Sequence, residues 1–163
     1  MVLPTDLPTI TIREACETSV LPRVLTIVRA AFALHDGRID PPSGAQHETV
    51  ESLATRLPEE RLLVAERAGE VMGCIWCRPD DRDVYIGRLA VDPAAHGQGV
   101  GKALLDASID WARARGASRM SLGVRVELSE NIAFFERHGF RITRADAHAG
   151  YDRPTNYHME LAL

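Results

Sequence analysis

The stretch TITIREA (residues 9–15) alternates apolar and polar side chains, the period of a half-buried strand. The period then changes: Val20, Val24, Val28, Ala31 and Phe32 recur at helical spacing. Thr18 or Ser19 stands where a cap belongs, and Pro22 falls in the first turn, where proline is tolerated. That helix ends near LHDG, and RIDPPSGAQ reads as a loop by its prolines and glycine. HETVESLATRL predicts a second short helix that stops before Pro58. RLLVAERAGEVMGCIWCRP divides into two strand-like runs about Ala68-Gly69, the mark of a hairpin, and DVYIGRLAVDP adds another strand. Val100, Leu104, Ala107, Trp111 and Ala114 form an apolar stripe on the next helix, which stops near Gly116. SRMSLGVRV is a buried-strand candidate, and SENIAFFERHGF a short helix with Ser129 as cap and Gly139 past its end. FRITRA and NYHMELAL close the chain as two strands around the loop DAHAGYDRPT.

This order, with no internal repeat, linker or low-complexity block, predicts one α+β domain over residues 1–163 with a mixed sheet. The strand before HGQGVG and the strand after its helix are expected to be parallel neighbours, because a helical crossover joins such pairs. A length of 163 residues, 45% of them hydrophobic and 26% charged, suits an ordinary globular domain. The net charge of -4 gives no global reason to seek nucleic acid or an anionic membrane, and it tolerates an amine-bearing partner. The opening MVLPTDLPTITIREA lacks the charged leader and apolar block of a secretion signal. No apolar run reaches the roughly twenty residues of a membrane span.

Three cysteines, Cys16, Cys74 and Cys77, are a sparse, odd set that fits reduced thiols in a cytoplasm. CIWC matches a redox or metal pattern, but on a strand positions three apart point to opposite faces. Its cysteines therefore read as structural. His35, His47, His148 and His158 have no paired metal-ligand spacing, so no metal is expected. Chemistry concentrates instead in AVDPAAHGQGVGKALL, where a strand gives way to a helix through three alternating glycines. A helix start presents unpaired N–H groups and a positive dipole end, and missing side chains let a phosphate approach them. Gly97, Gly99 and Gly101 thus look like a backbone cradle for phosphate or pyrophosphate, with Lys102 at its edge. A P-loop fails because His96 and Ala103 occupy its glycine and hydroxyl places. A dinucleotide fingerprint begun at Gly97 ends on Lys102 where glycine is required.

LAVDPAAHGQGVGKALL resembles the pyrophosphate motif of the GNAT superfamily, the acyl-CoA-dependent N-acyltransferases. His96-Gly97-Gln98-Gly99-Val100-Gly101 follows its pattern, with histidine at the first place instead of arginine or glutamine. The order of elements and the ending FFERHGF are also similar to that family. The resemblance implies a central mixed, mostly antiparallel sheet of about seven strands flanked by four helices, with a splayed parallel pair. It also implies acetyl-CoA as the acyl donor, its pantetheine arm lying between YIGRLAV and SLGVRV like an added strand.

On that resemblance, backbone groups of Leu89, Ala90 and Val91 would face pantetheine, one amide polarising the thioester carbonyl. His96 to Lys102 would hold the pyrophosphate, and Asn131 is either a pantetheine contact or a plain helix-start residue. Phe135 stands where many relatives place a tyrosine acid, and Tyr85 where some place a glutamate base. Tyr85 either binds substrate and relays a proton or packs on the sheet, and Asp83 shares its strand face. The family's acceptor pocket is framed by two loops that here are LHDGRIDPPSGAQHE and DAHAGYDRPT. Ser43, Glu48, Tyr151 and Asp152 are therefore candidates for acceptor contacts, or solvated loop residues. The implied reaction moves an acetyl group to a primary amine of a small molecule or peptide by direct attack on the thioester. A non-catalytic acyl-CoA-binding module stays open because of Phe135 and the missing glutamate, and an NAD-dependent oxidoreductase fits less well. The acceptor is not legible in the chain, nor is the oligomeric state, a homodimer included.

Overall fold

The computed structural model describes residues 8–163; residues 1–7, part of the stretch read above for a leader, lie outside the described residues. The strands are β1 Thr11–Ala15, β2 Arg61–Arg67, β3 Glu70–Asp80, β4 Asp83–Val91, β5 Arg119–Arg125, β6 Arg141–Asp146 and β7 Asn156–Ala162. The helices are α1 Leu21–Ala33, α2 Val50–Arg56, α3 Val100–Ala114 and α4 Ser129–Arg137. The strands form one sheet of seven in the order β1-β2-β3-β4-β5-β7-β6. Every neighbouring pair is antiparallel except β4 and β5, which run parallel as the crossover through α3 requires. Among the described residues no helix is long and apolar enough to cross a membrane.

Alternation along β2 and β3 sends side chains into two cores. Leu62, Val64, Cys74 and Trp76 face α1 and α2, packing with Leu21, Val24, Ile27 and Leu53. Leu63, Ala65, Ile75 and Cys77 face α3, packing with Leu104, Leu105 and Met120. The two cysteines of CIWC therefore lie in opposite cores, each fully buried. Burial pushes both thiols up to about 12, which keeps them protonated and inert. The β2–β3 hairpin turns at Ala68 and Gly69, both at positive φ (52° and 78°), the geometry of a tight two-residue turn.

Three helix details depart from the sequence pattern. Neither Thr18 nor Ser19 caps α1: residues Thr18–Val20 make a 3-10 turn that runs straight into it, with Pro22 in the first turn. Ser129 is the first residue of α4, and the cap position belongs to Leu128, which is buried in the core. The buried face of α3 is Val100, Leu104, Leu105, Ser108, Ile109 and Ala112, with Ala107 and Trp111 half-buried at its edge and Ala114 exposed. Along this face α3 approaches β3 closely. A Cβ on Gly73 would lie 2.9 Å from both Leu104 Cδ1 and the Ala90 carbonyl, so the helix sits where only glycine fits. Trp111 is left at the margin, its indole donating to Glu14 at 2.9 Å.

Candidate active site

The parallel ladder between β4 and β5 is short. Asp83 pairs with Arg119, Val84 with Met120 and Tyr85 with Ser121, and there it stops. Beyond Tyr85, β4 takes an extra residue against β3, with Arg88 at φ 49°. A non-glycine residue in that region is strained and needs support. Glu48 supplies it through an ion pair to Arg88 Nε at 3.2 Å, and the Arg88 guanidinium lies 5.7 Å over the Phe32 ring. Meanwhile β5 keeps its partners in β7 as far as Arg125 and Asn156. The bulge bends one strand away while the other stays in the sheet, and a cleft of about 430 Å³ opens between them.

At one end the cleft continues into a trough of about 440 Å³ along Leu89, Ala90 and Val91 toward the start of α3. Asp92 closes the strand by accepting from the Ala94 N–H at 3.0 Å, and Ala95 is buried beneath the loop. Gly97 and Gly99 both take positive φ (75° and 81°), with open space where a Cβ would stand. Gly99 is the N-cap of the fifteen-residue α3 and has no side chain to occupy the free N–H groups. His96, Gly97, Gly99, Val100, Gly101 and Lys102 line this trough. The Gln98 side chain turns aside to Arg67, and Lys102 pairs with Asp106 at 2.7 Å. An open backbone cradle at a helix start, feeding a trough, fits a diphosphate with an extended arm.

At the cleft's centre three groups converge. A Cβ on Gly123 would stand 3.1 Å from Asn156 Nδ2 and 3.4 Å from the Tyr85 hydroxyl. Glycine at that place leaves room for both polar groups to face the gap. His35, Leu89, Asn131 and Phe135 line both cleft and trough, which puts them at the junction. Phe135 is half-buried and edge-on to Phe134 and Phe140 (centroids 5.3 and 5.8 Å). His35 Nδ1 is buried without a hydrogen-bond partner. Desolvation, and secondly Arg38, lower the pKa of His35, favouring the neutral imidazole. His148 faces the cleft from the β6–β7 loop, its Nδ1 2.5 Å from Thr155 Oγ1. Metal spacing says nothing about His35, His148 or Asn156. The signal for them is position alone, since each sits on a loop or strand end that folding brings to the gap.

The other candidates are dispersed. Asp83 is held by Arg119 at 2.8 Å at the closed end of the ladder and is not among the cleft-lining residues, so it is not placed to take a substrate proton. Glu48 is no solvated loop residue: it is 5% exposed and gripped by Arg56 (2.5 Å), Arg88 and the Ser52 hydroxyl (2.5 Å). Burial opposes its charge, but the Ser52 hydrogen bond and the two guanidinium groups outweigh that and hold its pKa below the usual range. Tyr151 donates to Asp40 at 2.6 Å and ties the two framing loops together, while Asp152 is exposed. Ser43 does line the cleft, and it also caps the turn Gly44–His47 by accepting from the Ala45 N–H at 3.1 Å. Among the described residues no group of three or more metal-ligating side chains gathers.

Comparison with known proteins agrees with this architecture. Residues 28–140 match the model of the Acetyltransferase (GNAT) family, and the chain belongs to that family. It is 34% identical over 140 residues to a mycothiol acetyltransferase of Beutenbergia cavernae, covering 80% of this chain and 43% of that protein. The chain thus spans less than half the length of that relative. Its fold is shared with a PaiA N-acetyltransferase from Thermoplasma acidophilum solved in complex with coenzyme A. The TM-score is 0.83 at 18% identity, over 95% of this chain and 99% of that one. A GNAT family acetyltransferase from Elizabethkingia anophelis with acetyl-CoA bound superposes with a TM-score of 0.70 at 20% identity, over 94% and 98%.

Proposed function

We propose that the chain is an N-acetyltransferase that moves an acetyl group from acetyl-CoA to a primary amine of a small molecule or peptide. The observation that carries this reading is the interrupted β4–β5 ladder opening directly onto the glycine cradle of α3. Backbone groups of residues 89–91 and the free N–H groups at residues 97–102 are the parts that would hold the donor. Acetyl-CoA, when bound there, supplies the activated acyl group.

The chain's own residues supply the rest. An alkyl ammonium is protonated at neutral pH, with a pKa of roughly 10, so the amine must give up a proton before it attacks. His35, whose neutral imidazole is favoured, lines the junction of cleft and trough, and we assign it to accept that proton directly or through water. The Tyr85 hydroxyl and Asn156 carboxamide orient the acceptor, and the tyrosine is placed to return a proton to the departing thiolate. Phe135 contributes shape and exclusion of water, with no hydroxyl of its own. Three free thiols support a cytoplasmic setting for this chemistry.

Release of free thiol from acetyl-CoA across an amine library tests the proposal. Amine-dependent release is expected. Phe135, which has no hydroxyl at the place where the family resemblance implies a tyrosine acid, favours one second reading, an acyl-CoA-binding module. Calorimetric binding of acetyl-CoA without turnover on any amine would support that module instead.

A further inference from the structure

Next to the cleft, on the α2 side of the sheet, lies a chamber of about 540 Å³. It shares Phe32, Tyr85, Gly87, Arg88 and Gly123 with the cleft, so a ligand whose amine reaches Tyr85 extends into it. Two polar atoms of its lining are buried with no hydrogen-bond partner in the protein: Trp76 Nε1 and Glu60 Oε2. Trp76 is 1% exposed, and its indole N–H can only donate. Glu60 Oε2 lies 3.9 Å from Arg56 Nη1, too far for a hydrogen bond, because Arg56 spends its Nη2 on Glu48 at 2.5 Å. Trp76 pairs with Leu62 across the ladder, and Glu60 stands just ahead of β2, two residues before Leu62. Both residues line the chamber, and a buried donor and a buried acceptor without partners cost stability unless something satisfies them.

The charge of the lining selects what that is. Arg56, Arg78 and Arg88 face the chamber beside Glu59 and Glu60. A second ammonium would meet three guanidinium groups; Arg56 and Arg88 are already engaged by Glu48 and Arg78 lies over the Tyr85 ring, so a carboxylate would be set against Glu59 and Glu60. A neutral group that both donates and accepts meets neither penalty.

We propose that this chamber is the specificity pocket for the acceptor, and that it selects primary amines carrying a hydroxyl or carboxamide, bound through Trp76 Nε1 and Glu60. The proposal rests on the N-acetyltransferase reading for the amine end of the ligand, but the pocket has a readout of its own. Trp76 and Trp111 are the two tryptophans of the chain, so Trp111→Phe leaves Trp76 as sole emitter.

In that background, with CoA present, aminopropanol and aminopentanol should shift Trp76 emission to the red as the indole N–H gains a partner. Matched n-alkylamines should not. In turnover, amino alcohols should exceed alkylamines and diamines in kcat/KM. Trp76→Phe and Glu60→Leu should each lower kcat/KM for the amino alcohol about tenfold, and Glu60→Gln should restore it. Rates with alkylamines should stay as they were. Emission that responds alike to amino alcohols and alkylamines, or a preference untouched by Trp76→Phe and Glu60→Leu, would overturn the pocket. If emission shifts but no amine releases CoA, the pocket stands and the N-acetyltransferase reading falls.

Discussion

Tyr85 and Ser121 are the last partners of the parallel ladder between β4 and β5. One residue further the strands have parted, and the Tyr85 side chain lines both the cleft between them and the chamber behind it. The end of a sheet ladder and the start of a binding gap are thus the same place. Backbone groups freed there are available to a ligand laid along β4.

Tyr85→Phe should lower kcat while leaving acetyl-CoA affinity nearly unchanged. The hydroxyl lies at the cleft's centre over Gly123, away from the glycine cradle, so its loss acts after the donor is bound. Steady-state rates with the best acceptor, beside calorimetry of acetyl-CoA, check this. Unchanged rates would make Tyr85 a packing residue and leave the proton work to His35 or solvent.

Gly99→Asp should weaken acetyl-CoA binding at least about tenfold, roughly 1.4 kcal/mol. Gly99 caps α3 at φ 81° with open space around its Cα. Any L-residue is strained at that φ, aspartate and asparagine less than most, so Gly99→Asn is the uncharged control that carries the same backbone strain. What Gly99→Asp adds is a negative charge where the diphosphate is placed. Unchanged affinity in the folded variant would sink the cradle.

The order of the elements and the faces of CIWC were legible because they depend on local periodicity. The hairpin at Ala68-Gly69 was legible for the same reason: both turn residues are written in the chain next to the strands they join. The cradle was legible because its residues are contiguous. The acceptor side was not. Glu48 reads as a loop carboxylate until Arg88, forty residues on, closes over it. Asp83 reads as a free acid until the parallel ladder sets Arg119 beside it. Tyr151 is drawn away from the cleft by Asp40, 111 residues distant. Contacts of this separation follow from topology, which the periodicity of a segment does not contain. The capping error at α1 has a local cause: a 3-10 turn competes with a capped start, and serine and threonine suit both.

Glu48→Ala should destabilise the fold by about 3 kcal/mol, the low end for a buried pair because Arg56 and Arg88 stay partly exposed. The pH dependence has a definite sign. The folded-state pKa of Glu48 is lowered, so its contribution is present above the ordinary glutamate value and is lost as pH falls through the lowered one. Denaturant unfolding across the acid range should show this loss in the wild type and not in Glu48→Gln. Arg88 at positive φ would also lose its tether, so activity should fall in step with the cleft geometry. Equal acid sensitivity in both proteins would contradict the assignment.

Thiol titration of the native protein should modify Cys16 alone, with all three cysteines reacting after unfolding. Cys16 is exposed, whereas Cys74 and Cys77 are buried with thiols near 12. Rapid native modification of a second thiol would contradict the placement of CIWC in the two cores.

The most direct test of acetyl transfer in the β4–β5 gap is product analysis of one reaction. The protein, acetyl-CoA and the best amine from the library are incubated together, and free CoA and N-acetylated amine are both quantified by mass spectrometry. Equimolar CoA and acetylated amine are expected, with both lost together in Gly99→Asp at limiting acetyl-CoA. CoA released without acetylated amine, or acetylated amine formed at an undiminished rate by Gly99→Asp, would contradict it.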